Sequence, residues 1–191
     1  MINLEKLNQY KQAFDFFSQH LSYPEELSIF NEEFFEATFA SGMPGLSSFR
    51  SYWDKIGKFD ELDKIQEQYI ETFDFQKKAT LYMTYAKFED SKERGQMLAR
   101  LKVLYEMYGL NMDQAELSDY LPLMCEFIFA ADWLEDERSL ESFSLLFAVI
   151  EDGTYHLLQT LEKQNSPYFY LIQGMRELMK SCVLKQEVES K

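Results

Sequence analysis

The sequence predicts an all-α fold, a single-domain bundle of about eight helices spanning residues 1–184, with a frayed C-terminal tail over 185–191. Three observations lead there. Only four valines occur among 191 residues, whereas Leu, Phe, Met, Glu, Lys and Gln are abundant, and β-branched residues are the ones that favour strands. Apolar residues recur every three or four positions through most of the chain, the period that turns one face of a helix toward a core. The four prolines and seven glycines fall mostly between these periodic stretches, where they act as punctuation. A chain this long that is 46% hydrophobic can bury a self-sufficient core.

Leu4, Leu7, Tyr10, Phe14 and Phe17 define a first amphipathic helix. Ser22 followed by Glu25 makes a capping box with Pro24 in the first turn, so a second helix is expected from there to about Ser41. Gly42-Met43-Pro44-Gly45 cannot continue it and marks a loop before a short helix over 46–53. A longer helix over about 60–88 would place Leu62, Ile65, Tyr69, Phe73, Leu81, Met83 and Tyr85 mostly inside, with 72–75 as the place where it could break. Asp90 and Glu93 offer a second capping box, Met97, Leu101, Leu104, Tyr105 and Tyr108 form the stripe behind it, and Gly109 supplies a left-handed stop. Gly95 inside that helix costs about 1 kcal/mol relative to Ala, so close approach of another helix is expected there.

Ser118 or Asp119 can cap the next helix, whose first turn accommodates Pro122. Its buried side is Leu121, Met124, Cys125, Ile128, Phe129 and Trp133, and its polar side carries Glu126. Residues 140–150 and 155–161 read as two helices separated by Gly153, and Ser166-Pro167 starts a last one lined by Leu171, Met175, Leu178, Met179 and Cys182.

The formal charge of −14 would repel nucleic acid and anionic lipid, whose binders rely on clustered Lys and Arg. It is unevenly placed. No Lys or Arg lies between Lys11 and Arg50, and Arg138 alone lies between Lys102 and Lys163, while Lys77, Lys78, Lys87, Lys92, Arg94, Arg100 and Lys102 gather in the middle. One surface should therefore be strongly negative, either to keep the protein soluble or to attract a basic partner segment. No run of eighteen apolar residues exists and the N-terminus lacks the order of a secretory signal, so a cytoplasmic protein without membrane insertion is expected. Cys125 and Cys182 sit in helical patterns without CxxC spacing and read as two buried, reduced thiols.

The chemistry-bearing motifs are missing. His20 and His156 do not follow a Glu by three residues, as helical di-iron sites require, and there is no P-loop, no Gly-x-Gly-x-x-Gly and no Gly-x-Ser-x-Gly. No metal and no stably bound cofactor are expected, and no enzymatic activity. A carboxylate pair such as Glu116 with Asp119 is the one remaining catalytic alternative, and carboxylates at a helix start are more often caps.

Tyr69-x-x-x-Phe73-Asp74, Arg94-Gly95, Tyr105-Glu106-x-x-Gly109-Leu110 and Glu116-Leu117-Ser118-Asp119-Tyr120-Leu121-Pro122-Leu123, in this order and spacing over the middle third of the chain, resemble the NarJ family. These are the assembly chaperones, also called delta subunits, of respiratory nitrate reductase. The chain departs from the family at Ser118, where Pro is usual. The resemblance implies an all-helical fold like that of the TorD superfamily and a chaperone that binds the N-terminal segment of the reductase's catalytic (alpha) subunit. Such a chaperone holds the apoenzyme open for molybdenum cofactor insertion and delays membrane docking until it is loaded. Proteins of molybdenum cofactor biosynthesis are implied as a second class of partner, and a chaperone for another molybdoenzyme or an unrelated helical adaptor are the alternatives.

An amphipathic peptide helix needs an apolar groove, and acidic rims would orient its basic residues. Within the matched motifs, Tyr69 and Phe73 are expected as apolar wall, Asp119, Tyr120 and Glu126 as polar and acidic contacts, and Tyr105 close by. The competing roles are core packing for Tyr69, Phe73 and Tyr105, and a helix cap for Asp119. Met83, Met107, Met112 and Met124 would let a groove adapt or would simply fill the core.

Overall fold

The computed structural model describes residues 1–75, 77–112 and 116–184; the tail expected over 185–191 lies outside the described residues. Among these there are ten α-helices, a 3-10 turn over Leu27–Ile29 and two isolated β-bridges, with no strand. The all-α expectation holds, and the count exceeds the expected eight or so because two of the expected helices break while only one pair fuses.

The first break falls at Tyr10, between α1 (Leu4–Gln9) and α2 (Lys11–Leu21). Asn3 N–H donates to the Cys182 carbonyl at 2.7 Å and Lys6 Nζ to that of Ser181 at 2.8 Å, tying α1 to the C-terminal helix, whereas α2 runs along α8 (Leu121–Ala130). One straight helix could not follow both neighbours. The Ser22 capping box does not form: residues 23–26 are not helical, and the Ser22 hydroxyl instead closes α2 by donating to the Ser18 carbonyl. The next helix, α3 (Glu32–Thr38), starts later, where Asn31 Oδ1 accepts from Glu33 N–H at 2.8 Å and Phe34 N–H at 3.2 Å.

After α4 (Leu46–Ile56), α5 (Leu62–Phe73) ends where the sequence allowed a break, and residues 77–84 run as an irregular strap to the single turn α6 (Tyr85–Phe88). The next cap is Ser91, not Asp90: its Oγ accepts from Arg94 N–H at the start of α7 (Lys92–Met107). Gly109 has φ +79°, as its place after the helix requires. Neither Ser118 nor Asp119 caps α8. Ser118 donates instead to the Leu98 carbonyl at 2.7 Å, and Pro122 occupies the first turn.

The two helices expected over 140–161 are one, α9 (Ser139–Lys163), which passes straight through Gly153. A Cβ built on Gly153 would stand 2.6 Å from Met83 Cα and from its carbonyl oxygen, so the missing side chain is what lets the strap lie against the helix. The close approach assigned to Gly95 belongs here instead, since Gly95 is exposed and a Cβ there meets nothing within 4 Å. The last helix, α10 (Tyr168–Ser181), packs on α4 and α9.

The buried side chains form one cluster running from Ile2 to Cys182. Lys11 Nζ donates to the Ala131 carbonyl at 2.8 Å, closing the C-terminal end of α8 with a cation. His20 is buried and stacked on Phe16 at 3.8 Å. Its Nε2 lies 3.0 Å from the Ile29 carbonyl, which can only accept, so Nε2 carries the proton and Nδ1 accepts from the Tyr52 hydroxyl, also at 3.0 Å. Burial pushes the imidazole down to about 3, and it is neutral at physiological pH.

Candidate functional site

The strap that follows α5 is stitched to the start of α8. Met83 N–H donates to the Asp119 carbonyl at 2.9 Å and Leu121 N–H to the Leu81 carbonyl at 2.8 Å, either side of the Tyr82–Tyr120 bridge. Between α5, this strap and the segment entering α8 opens a cleft of about 560 Å³. Tyr69 and Phe73 line it from α5, Leu81 and Tyr82 from the strap, and Leu117 and Tyr120 from the third side. The rings lie near one another, Tyr69 and Phe73 with centroids 4.8 Å apart and Tyr82 and Tyr120 5.3 Å apart. Tyr69 is almost fully buried and its hydroxyl donates to the Leu21 carbonyl at 3.0 Å, while Phe73, Tyr82 and Tyr120 are half-buried.

The ionisable residues lining this cleft are mixed: Asp74 and Glu116 face Lys77 and Arg94. A smaller hollow of about 270 Å³ adjoins it at Glu116, which lines both. This second hollow has Tyr105, Leu110, Met112, Leu123 and Phe127 as walls and two carboxylates, Glu116 and Glu126, with no cation among its lining residues. Glu116 Oε2 accepts from the Tyr82 hydroxyl at 2.9 Å. Burial, then that bond, pushes the Tyr82 hydroxyl up to about 12, so it stays a donor.

The six residues picked out from the sequence thus divide three ways. Tyr69, Phe73 and Tyr120 share the larger cleft, and Tyr105 and Glu126 share the smaller one. Asp119 lines neither: it is fully buried behind the wall, so the direct polar contact assigned to it is corrected. Its Oδ2 accepts from Thr84 N–H at 3.1 Å and from Thr84 Oγ1 at 2.5 Å, and lies 3.5 Å from the Arg94 guanidinium. The other oxygen, Oδ1, is buried without a partner among the described residues. Burial also means that Asp119 and the exposed Glu116 do not face one another as a catalytic dyad would. Of the methionines, Met83 and Met124 are core, Met112 lines the smaller hollow, and Met107 lies on a different groove between α7 and α9.

Sequence reasoning missed Tyr82, Thr84 and Tyr85, because a helical period was read through residues that form the strap and its exit. Arg94 was visible only as part of a motif. Among the described residues no group of three or more His, Cys, Asp or Glu could hold a metal, and no helix is long and apolar enough to cross a membrane.

Comparison with known proteins adds the lineage. The family described as nitrate reductase delta subunit matches residues 35–172, a span that contains both clefts and the strap. A Bacillus subtilis protein named as a probable nitrate reductase molybdenum cofactor assembly chaperone NarJ is 37% identical over 123 residues, 64% of this chain and 63% of that protein. The NarJ chaperone of Escherichia coli K12 is 27% identical over 178 residues, covering 91% of this chain and 72% of that relative. The probable chaperone NarW of the same strain is 28% identical over 127 residues, 66% of this chain and 52% of its own length. The aligned stretch is thus less than two thirds of the Bacillus relative's length. With its matched region extending over most of the chain, the protein belongs to the nitrate reductase delta subunit family.

Proposed function

We propose that this protein is an assembly chaperone for a respiratory nitrate reductase, not an enzyme. It binds the N-terminal segment of the catalytic subunit and assists molybdenum cofactor insertion in the cytoplasm before membrane docking, holding no cofactor stably itself. The observation that carries this reading is the open aromatic cleft between α5, the strap and α8, within the family match. A helix laid there would bury apolar side chains against Tyr69, Phe73 and Tyr120, and aromatic anchors of this kind dominate binding energy. A basic residue of the same peptide fits the smaller hollow, where Glu116 and Glu126 have no competing cation among the lining residues. Contact with molybdenum cofactor biosynthesis proteins is the second, transient interaction that this role requires.

Isothermal titration with synthetic N-terminal peptides of candidate reductase catalytic subunits tests the reading. Saturable one-to-one binding, weakened in Tyr120→Ala, is the expected result. Binding only to the leading segment of a different molybdoenzyme would reassign the client, and no binding to any such peptide would overturn the proposal.

A further inference from the structure

We propose that Asp119 is a positioning residue, a buried latch whose carboxylate pins the strap to the start of α8 and so sets the geometry of the larger cleft. The inference deepens the peptide-binding reading and rests on it for its functional half. Three separate elements meet at this one group. Thr84 ends the strap and gives Oδ2 both its N–H and its hydroxyl. Arg94, on α7 and almost buried, brings its guanidinium to Oδ2 at 3.5 Å, its Nε to Thr84 Oγ1 at 3.2 Å, and its Nη1 to Asp90 Oδ1 at 3.4 Å. Its guanidinium also sits over the Tyr85 ring at 5.2 Å. The backbone of Asp119 meanwhile accepts from Met83 N–H.

On its far side the strap cannot back away, because Met83 is seated on Gly153 of α9. The wall made by Leu81 and Tyr82 is therefore held from behind by α9 and from the side by Asp119, with no bond of its own to α5 among the described residues. A buried carboxylate with one oxygen unpartnered among the described residues is costly, and the charge-assisted bonds at the other oxygen offset that cost while holding the cleft in shape before a ligand arrives. Preorganisation of this kind spares the ligand the ordering of eight strap residues on binding.

The test uses Asp119→Asn, with Thr84→Val as a milder second variant should the first fold poorly. In the free full-length protein, amide exchange followed by NMR should quicken about tenfold or more at Met83, Thr84 and Leu121, the worth of one lost charge-assisted bond, while α4 and α10 amides stay unchanged. Unchanged exchange at the strap amides, in a variant that folds, would overturn the latch. So would exchange that quickens equally everywhere in both variants, since Asp119 would then be serving the whole core. In titration with a reductase N-terminal peptide, Asp119→Asn should weaken binding about tenfold while leaving the salt dependence of Kd as in the parent protein, because the group is behind the wall. A flattened salt dependence would show a direct charge contact and refute the positioning role. If the exchange result holds but the parent protein binds no peptide, the latch stands and the proposed function falls.

Discussion

Replacing Gly153 by Ala sets two magnitudes against each other. In a helix interior Ala is favoured over Gly by about 1 kcal/mol, and α9 continues for ten residues on the C-terminal side of position 153. Against this stands a methyl group placed 2.6 Å from Met83 Cα and from Met83 O, both backbone atoms that cannot rotate away. Restoring ordinary contact requires the strap and α9 to part by about 1 Å, an overpacking that costs ~1–3 kcal/mol and also loosens the bonds at Asp119. The clash less the propensity leaves up to about 2 kcal/mol, and the loosened bonds at Asp119 add to it, so Gly153→Ala should be destabilised by about 1–2 kcal/mol net. Gly95→Ala is the internal control. It removes the same backbone freedom in an exposed helical position with open space around it, and should gain ~0.5–1 kcal/mol. Urea unfolding followed by circular dichroism measures both, and in a chain of this size thermal midpoints should move by about 2–4 °C per kcal/mol. The reasoning is refuted if Gly153→Ala is as stable as the parent, or if the two variants shift in the same direction.

Three further outcomes are expected. His20 has a folded-state pKa lowered to about 3, so the unfolded chain takes up a proton near pH 6.5 that the native state refuses. Stability from this group is fully present above pH 6.5 and falls as pH drops toward 3, by about 1.4 kcal/mol per pH unit. Unfolding at pH 7 and pH 5 should therefore differ by about 2 kcal/mol more in the parent than in His20→Phe, and NMR should find a neutral imidazole at pH 5. Ser91→Ala should cost about 1 kcal/mol by removing the cap of α7, whereas Asp90→Ala, which leaves that cap intact, should cost less; equal losses would contradict the assignment. Tyr120→Ala should weaken peptide binding by ~10–100-fold while Tm falls far less than a core truncation would cause, and parallel losses of affinity and folding would return Tyr120 to a packing role.

Helix content was legible because periodicity and composition act locally, one turn at a time. What escaped was set by partners far along the chain. The stripe through Leu81, Met83 and Tyr85 fits a helix by spacing alone, but the Leu81 carbonyl and Met83 N–H bond to residues 119–121, nearly forty positions away. Ser22 and Asp90 had good capping neighbours in sequence and lost to Asn31 and Ser91, because the choice depends on where the preceding chain arrives in space. Gly153 was read as a separator and Gly95 as a contact for the same reason: the two glycines are equivalent locally and differ only in what lies opposite. Of the candidate site, the shared placement of Tyr69 and Phe73 follows from their spacing of four on one helix, whereas Tyr120, expected as a polar contact, lines the cleft with its ring beside Tyr82. That Asp119 lies behind the surface was not legible, since a carboxylate two residues before an apolar helix reads equally as cap, contact or buried partner.

The seating of Met83 on Gly153 bears on when the protein becomes competent during its own synthesis. Met83 is translated seventy residues before Gly153, so a chain still emerging from the ribosome has the aromatic rings of α5 but no rigid surface opposite them. In the proposed role the cleft would therefore become competent late and as a whole, and a copy lacking α9 would have no backed wall against which to hold a client.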